Sequence, residues 1–182
     1  MSSAVKPLLI LLSVAYPFVV YWGLQSGHEL ALVMMLSILL MGKIATAKKG
    51  FERALTLLFL IVILVVMAVF SASEGLKIYP VVINLSLLLV FASSLMSGMP
   101  VIERIARMRE PDLPAVAVAY TRQVTRAWCV FFAVNAGISL ATVIYASEQV
   151  WMLYNGVIAY LLVAIMFSAE WLIRRRVRAR VS

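Results

Sequence analysis

The stretch EGLKIYPVVINLSLLLVF, residues 74–91, sets a lysine, a tyrosine and a proline at the entrance to a long apolar run. Seven residues past Lys77, Asn84 stands inside that run. Residues 78–98 together are long enough to cross about 30 Å of hydrocarbon, which takes about 20 residues of helix. Pro80 falls in the first turn, where its missing N–H is tolerated. The stretch therefore reads either as the way a helix enters a membrane or as the wall of a shallow binding site.

The rest of the chain repeats the pattern. It has 182 residues, 64% of them hydrophobic, against about 45–50% apolar residues in ordinary soluble domains. The excess is gathered into further blocks at 7–24, 30–47, 54–72, 127–146 and 150–173. Lys43, near the end of the second block, can extend its ammonium to the headgroups. The first block follows Lys6, but no small-x-small cleavage site follows GLQSGHE, so it reads as a retained helix. The expected fold is all-α. It is a single transmembrane domain over 1–182, with six transmembrane helices and an amphipathic helix between the fourth and fifth.

Charge gives the orientation. Of the 16 lysines and arginines, all but Lys77 fall at one end of this six-span arrangement. They lie around Lys6, in KIATAKKGFER, in the 99–126 loop and in the 174–182 tail. The positive-inside rule then places both termini in the cytoplasm. The opposite loops, QSGHE, SASEGLK and SEQ, are so short that consecutive helices must be antiparallel neighbours. In the 99–126 loop, Val101, Ile102, Ile105, Ala106 and Met108 share one face, and Glu103 and Arg107 form an i,i+4 pair on the other. This is the pattern of a short helix at a membrane surface. PDLP ends it, and the next helix runs from AVAVAYTRQVTRAW into the fifth span.

Chemistry-bearing residues are scarce. There is one histidine, one cysteine and one aspartate, which argues against a metal centre or an acid–base dyad. No phosphate-cradling glycine loop, H-E-x-x-H, G-x-S-x-G or CxxC occurs. The sequence implies no catalytic residue, cofactor or metal. The net charge of +8 reads as orientation and contact with anionic headgroups rather than nucleic-acid binding.

Three groups of polar residues remain. Asn135, Ser139 and Thr142 form one stripe of the fifth span, beside a small-residue series Ala133, Gly137 and Ala141. Ser86, Ser93 and Ser97 form a stripe of the fourth, with Asn84 on another face. Such stripes serve helix packing or line a substrate path. At the cytoplasmic end, Arg122, Arg126, Glu170 and Arg174 either pair structurally or hold a phosphate or lipid headgroup. At the outer end, Lys77, Tyr79, Glu148, Tyr154 and Asn155 form either an interfacial belt, with Lys77 paired to Glu148, or a shallow pocket.

The segments KIYPVVINLSLLLVFASSL, PVIERIAR, PDLP, YTRQVTRAWCVFFAVNAG and WMLYNGVIAYLLVAIMFSAEWLIRRR, within 77–176, resemble a family of small, uncharacterised bacterial inner-membrane proteins. Genes of that family often neighbour ketosynthase and acyl carrier protein genes of aryl-polyene-like biosynthesis. The resemblance implies a multi-pass protein of the bacterial inner membrane that helps make or move an acyl-lipid product; it transfers no catalytic residue. The leading expectation is a non-catalytic accessory, scaffold or lipid-binding component. The alternatives are a small transporter or flippase using the stripes of spans four to six, and a membrane enzyme with Glu170 as base. Expected partners are membrane lipids, with anionic headgroups on the cytoplasmic side. An acyl carrier protein, a biosynthetic enzyme, an exporter or a second copy of the chain complete the set.

Overall fold

A computed structural model describes residues 5–46, 57, 60–61, 64–65, 71–108 and 110–179. All regular structure among them is helical. Helix α1 spans Val5–Gln25 and α2 spans Glu29–Thr46. A short α3, Ala72–Lys77, leads into α4, Tyr79–Met96. Then follow α5, Val101–Arg107, and α6, Ala115–Tyr145. Helix α7, Glu148–Leu153, passes through a π-helical turn at Tyr154–Ile158 into α8, Ala159–Ala179. The expected third span, 54–72, lies largely outside the described residues, as do the basic residues Lys48, Lys49, Arg53 and Arg109.

Three helical segments among the described residues are long and apolar enough to cross a membrane: Ser73–Met96, Ala115–Tyr145 and Glu148–Arg175. They contain most of the expected fourth, fifth and sixth blocks. Only 11% of the most apolar stretch of Glu148–Arg175 is buried in the protein, so most of its side chains present an apolar surface suited to lipid. Helix α6 has 31 residues, about 46 Å at 1.5 Å each. That exceeds the hydrocarbon thickness by several turns, and its early turns carry Arg122 and Arg126. As expected, it begins just after PDLP and continues unbroken.

The connections follow local rules. Between α1 and α2 the Gly27 backbone is left-handed, at φ 69°. His28 N donates to Gly23 O at 2.9 Å and Gly27 N to Leu24 O at 3.3 Å. That pair of bonds is a Schellman ending, and it requires the residue a glycine can supply. Helix α3 starts where Ser71 Oγ accepts from Glu74 N, a serine cap with glutamate three residues on. Helix α4 ends at a second left-handed glycine, Gly98. Ser94 Oγ reaches across this corner to accept from Val101 N at 3.1 Å, capping α5.

Two apolar clusters hold the helices together. In one, Tyr16, Val20, Leu32, Leu36, Leu76, Tyr79, Val82 and Trp151 join α1, α2, α3, α4 and α7. In the other, Val124, Trp128 and Phe132 of α6 pack on Leu88 and Phe91 of α4 and Val163 and Met166 of α8. Phe91 stands edge-on to Phe132, centroids 5.2 Å apart, and Trp128 lies 4.8 Å from Phe167.

Three local expectations need correction. The striped serines Ser86, Ser93 and Ser97 bridge no helices among the described residues. Ser86, Ser93 and Ser97 each donate to a carbonyl of their own helix, Val82, Val90 and Ser94, the usual outlet for a helical hydroxyl without a polar neighbour. The Ala133, Gly137, Ala141 series makes no close packing seam with the described residues. All three are exposed, and a methyl built on Gly137 meets nothing within 4 Å. In α5 the expected apolar face is divided: Ile102 packs against the Val124, Trp128 and Phe132 cluster. Glu103 is 5% exposed and paired to Arg107 at 2.9 Å, while Ile105 and Met108 are 48% and 75% exposed.

Candidate functional site: a layered polar core

The site begins at the proline of the opening stretch. A helical proline cannot donate to the carbonyl four residues back, so Pro80 provides no hydrogen bond to Leu76 O. That carbonyl is taken by Tyr16 Oη, from α1, at 2.9 Å. The next carbonyl, Lys77 O, accepts from Trp151 Nε1, from α7, at 3.1 Å. The α3–α4 junction is therefore the point at which α1 and α7 are fastened. Both rings are nearly fully buried.

Above this junction lies a charged rim. Lys77 Nζ sits 3.3 Å from both Glu74 Oε1 and Glu148 Oε1. Gln25 Nε2 donates to the other Glu148 oxygen at 3.0 Å. The Lys77–Glu148 pair thus joins the ends of three chain segments. Lys77 is only 12% exposed, so water screens this pair less than an ordinary surface pair.

Below the junction lie the asparagines. Ser139 Oγ donates to Asn155 Oδ1 at 2.6 Å. Asn155 Nδ2 donates to Thr142 Oγ1 at 3.2 Å and to Trp151 O at 2.9 Å, which uses both amide hydrogens. A second chain crosses three elements: Tyr154 Oη donates to Asn135 Oδ1 at 2.6 Å, Asn135 Nδ2 to Asn84 Oδ1 at 2.9 Å, and Asn84 Nδ2 to Pro80 O at 2.9 Å. The stripe Asn135, Ser139, Thr142 is buried and covers about 10 Å of α6.

The π-helical turn makes this possible. Ala159 N donates to Tyr154 O, five residues back. The wider turn lets Tyr154, Asn155 and Gly156 be buried in succession, where three consecutive α-helical residues would fan over about 200°. Gly156 lets α1 approach this turn closely. A methyl there would come 3.0 Å from the Phe18 ring.

Beside the asparagines lies a cavity of about 170 Å³. Its walls are Tyr16 and Pro17 of α1, Tyr79, Asn84 and Leu87 of α4, Phe132 and Asn135 of α6, Asn155 of the π turn, and Ala159 and Tyr160 just past it. No charged side chain lines it.

The predicted outer group and the predicted mid-helix group are thus one arrangement. Lys77 pairs with Glu148, Tyr79 lines the cavity, and Tyr154 and Asn155 bond to Asn135, Ser139 and Thr142. The Arg-rich group does not share a common contact. Glu170 pairs with Arg174 within α8, Oε1 to Nη2 at 2.6 Å. Arg122 donates to Leu95 O at 3.1 Å, near the carbonyl end of α4, where a cation is favoured. Arg126 is exposed and takes part in no ion pair among the described residues. Tyr120 Oη donates to Glu170 O at 3.2 Å, tying α6 to α8.

Sequence reading missed Tyr16 and Gln25 as parts of the site; it set Trp151 at the outer level but did not show its bond to Lys77 O. Pro80 announces an orphan carbonyl at Leu76, but nothing in the sequence says which distant donor fills it. The π turn has no sequence signature. Chemically, the site offers neutral amide and hydroxyl groups beside an apolar cavity, and no group of three or more metal-ligating side chains occurs among the described residues. The chain matches no known family model, no curated protein and no solved structure.

Proposed function

We propose that the protein is a six-span integral membrane protein with both termini in the cytoplasm. Its role is non-catalytic: it binds a lipid as an accessory to envelope-lipid biosynthesis in a bacterial inner membrane. The observation that carries this is the cavity of about 170 Å³ among α1, α4, α6 and α8, apolar but for amide and phenol groups. Pockets that take small apolar ligands have this composition: mostly hydrophobic walls and a few placed polar groups. Each fully buried side-chain N and O atom among the described residues has a hydrogen-bond partner, which favours a preorganised wall.

The resemblance to inner-membrane proteins near acyl carrier protein genes supports an acyl lipid as cargo. The arginines of the 99–126 loop suit an acidic carrier protein or anionic headgroups on the cytoplasmic face. Lipid mass spectrometry on gently purified protein tests the reading. A stoichiometric lipid is expected. Protein free of lipid that co-purifies with an enzyme would replace lipid binding with scaffolding.

One observation favours a second reading, a small transporter. The π turn lies in the wall of the cavity, and such turns recur at functional sites. Under this reading Asn84→Ala, Asn135→Ala or Glu170→Gln stops transport while insertion is unchanged. Full transport in all three variants would exclude it.

A further inference from the structure

Resting on the lipid-binding reading, we infer that the cavity takes the uncharged polar end of a single-chain lipid: an ester, ether or ketone oxygen with a short length of chain or one ring. Three observations lead there. The first is charge. None of the lining residues is charged, and a phosphate moved into such a place would lose its hydration with no cation to offset the loss. The arginines nearest in kind, Arg122 and Arg174, are engaged by Leu95 O and Glu170. The second is size. A volume of about 170 Å³ is close to that of an engineered apolar cavity of about 150 Å³ that binds benzene. It holds one ring or roughly five or six small groups at about 30 Å³ each, and not two acyl chains. The third is hydrogen-bonding sense. Asn84 and Asn135 each spend one amide hydrogen, on Pro80 O and on Asn84 Oδ1, and each amide carries two. Their carbonyl oxygens already accept, from Asn135 and from Tyr154. Each nitrogen thus keeps one hydrogen and each oxygen one lone pair, so the pair can donate to an uncharged ligand oxygen and accept from a ligand hydroxyl.

The probe is a monoacylglycerol with a diazirine in its acyl chain, irradiated with the full-length protein in mild detergent. Label is expected on the stretch of α4 around Ile83 and Leu87 or at Phe132. Unlabelled monoacylglycerol should compete and phosphatidylglycerol should not. Ala159→Phe fills the cavity from a buried wall position. Leu87→Trp fills it from a partly exposed one, so the second variant decides if the first does not fold. Each should lower the yield of label about tenfold, the change that about 1.4 kcal/mol produces. Equal competition by phosphatidylglycerol, or full labelling of folded Leu87→Trp, overturns the inference. Lipid bound at stoichiometry but labelled only at the arginine-bearing ends overturns it too, and leaves the lipid-binding reading standing. Absence of both lipid and label removes both.

Discussion

Tyr16 and Trp151 act on the fold through single hydrogen bonds to adjacent carbonyls, Leu76 O and Lys77 O. Tyr16→Phe keeps the ring and its contact with Tyr79, centroids 4.4 Å apart, and removes only the hydroxyl. The expected loss is about 0.5–2 kcal/mol, since a buried orphan carbonyl is costly but bonds within membranes are individually modest. Thermal unfolding in detergent reads it; an unchanged midpoint would show that water or another donor replaces the phenol. Asn135 stands between two partners, Tyr154 and Asn84. Asn135→Leu should therefore destabilise more than Thr142→Val, whose hydroxyl donates only to Ser139 O of its own helix and accepts from Asn155. Equal midpoints for the two variants would contradict the relay. At this scale the sequence showed which residues were unusual in an apolar setting, and Asn84, Asn135, Ser139, Thr142 and Asn155 do meet in the structure. It did not show Tyr16, because an aromatic near the middle of an apolar helix looks like any other core residue.

Among the elements, the α3–α4 junction and the π turn decide where the others sit. If Pro80 is the reason Leu76 O needs a donor from outside its own helix, Pro80→Ala should supply one from within. Tyr16→Phe should then matter less in the Pro80→Ala background than in the native one. A double-mutant cycle measures this, and strictly additive losses would show that the junction is held open by packing rather than by the missing N–H. Helix α5 gives a second test. Ile105 and the adjoining Met108 are exposed while Glu103 is buried. A tryptophan placed at Met108, with the native tryptophans as background, should be quenched by lipids brominated along the acyl chain. No added quenching would mean that α5 stands in water. The positions of the long described helices were legible because lengths of about 20 apolar residues and turn signals such as PDLP are local, whereas SASEGLK, read as a loop, forms α3. The way α5 faces was not legible, because the spacing that puts Glu103 and Arg107 on one side does not say which side the bundle covers. The serines of α4 misled for a related reason: periodicity places them on one face but does not say whether a partner waits there.

The whole molecule is read as a bundle in which all but one of the cations lie on the same side, with the amide-lined cavity nearer the other. That reading unites the short loops, the apolar outer surface of Ser73–Met96, Ala115–Tyr145 and Glu148–Arg175 and the single outer lysine held by Glu74 and Glu148. It also sets the depth at which Asn84, Asn135 and Asn155 lie, and so the ligand they can meet. Reporter fusions at the two ends test it most directly, with one enzyme active only in the cytoplasm and one active only outside it. Both ends are expected to report the cytoplasm. Termini in opposite compartments would contradict it, and the asparagines and arginines would lose the separate faces on which the proposed lipid site depends.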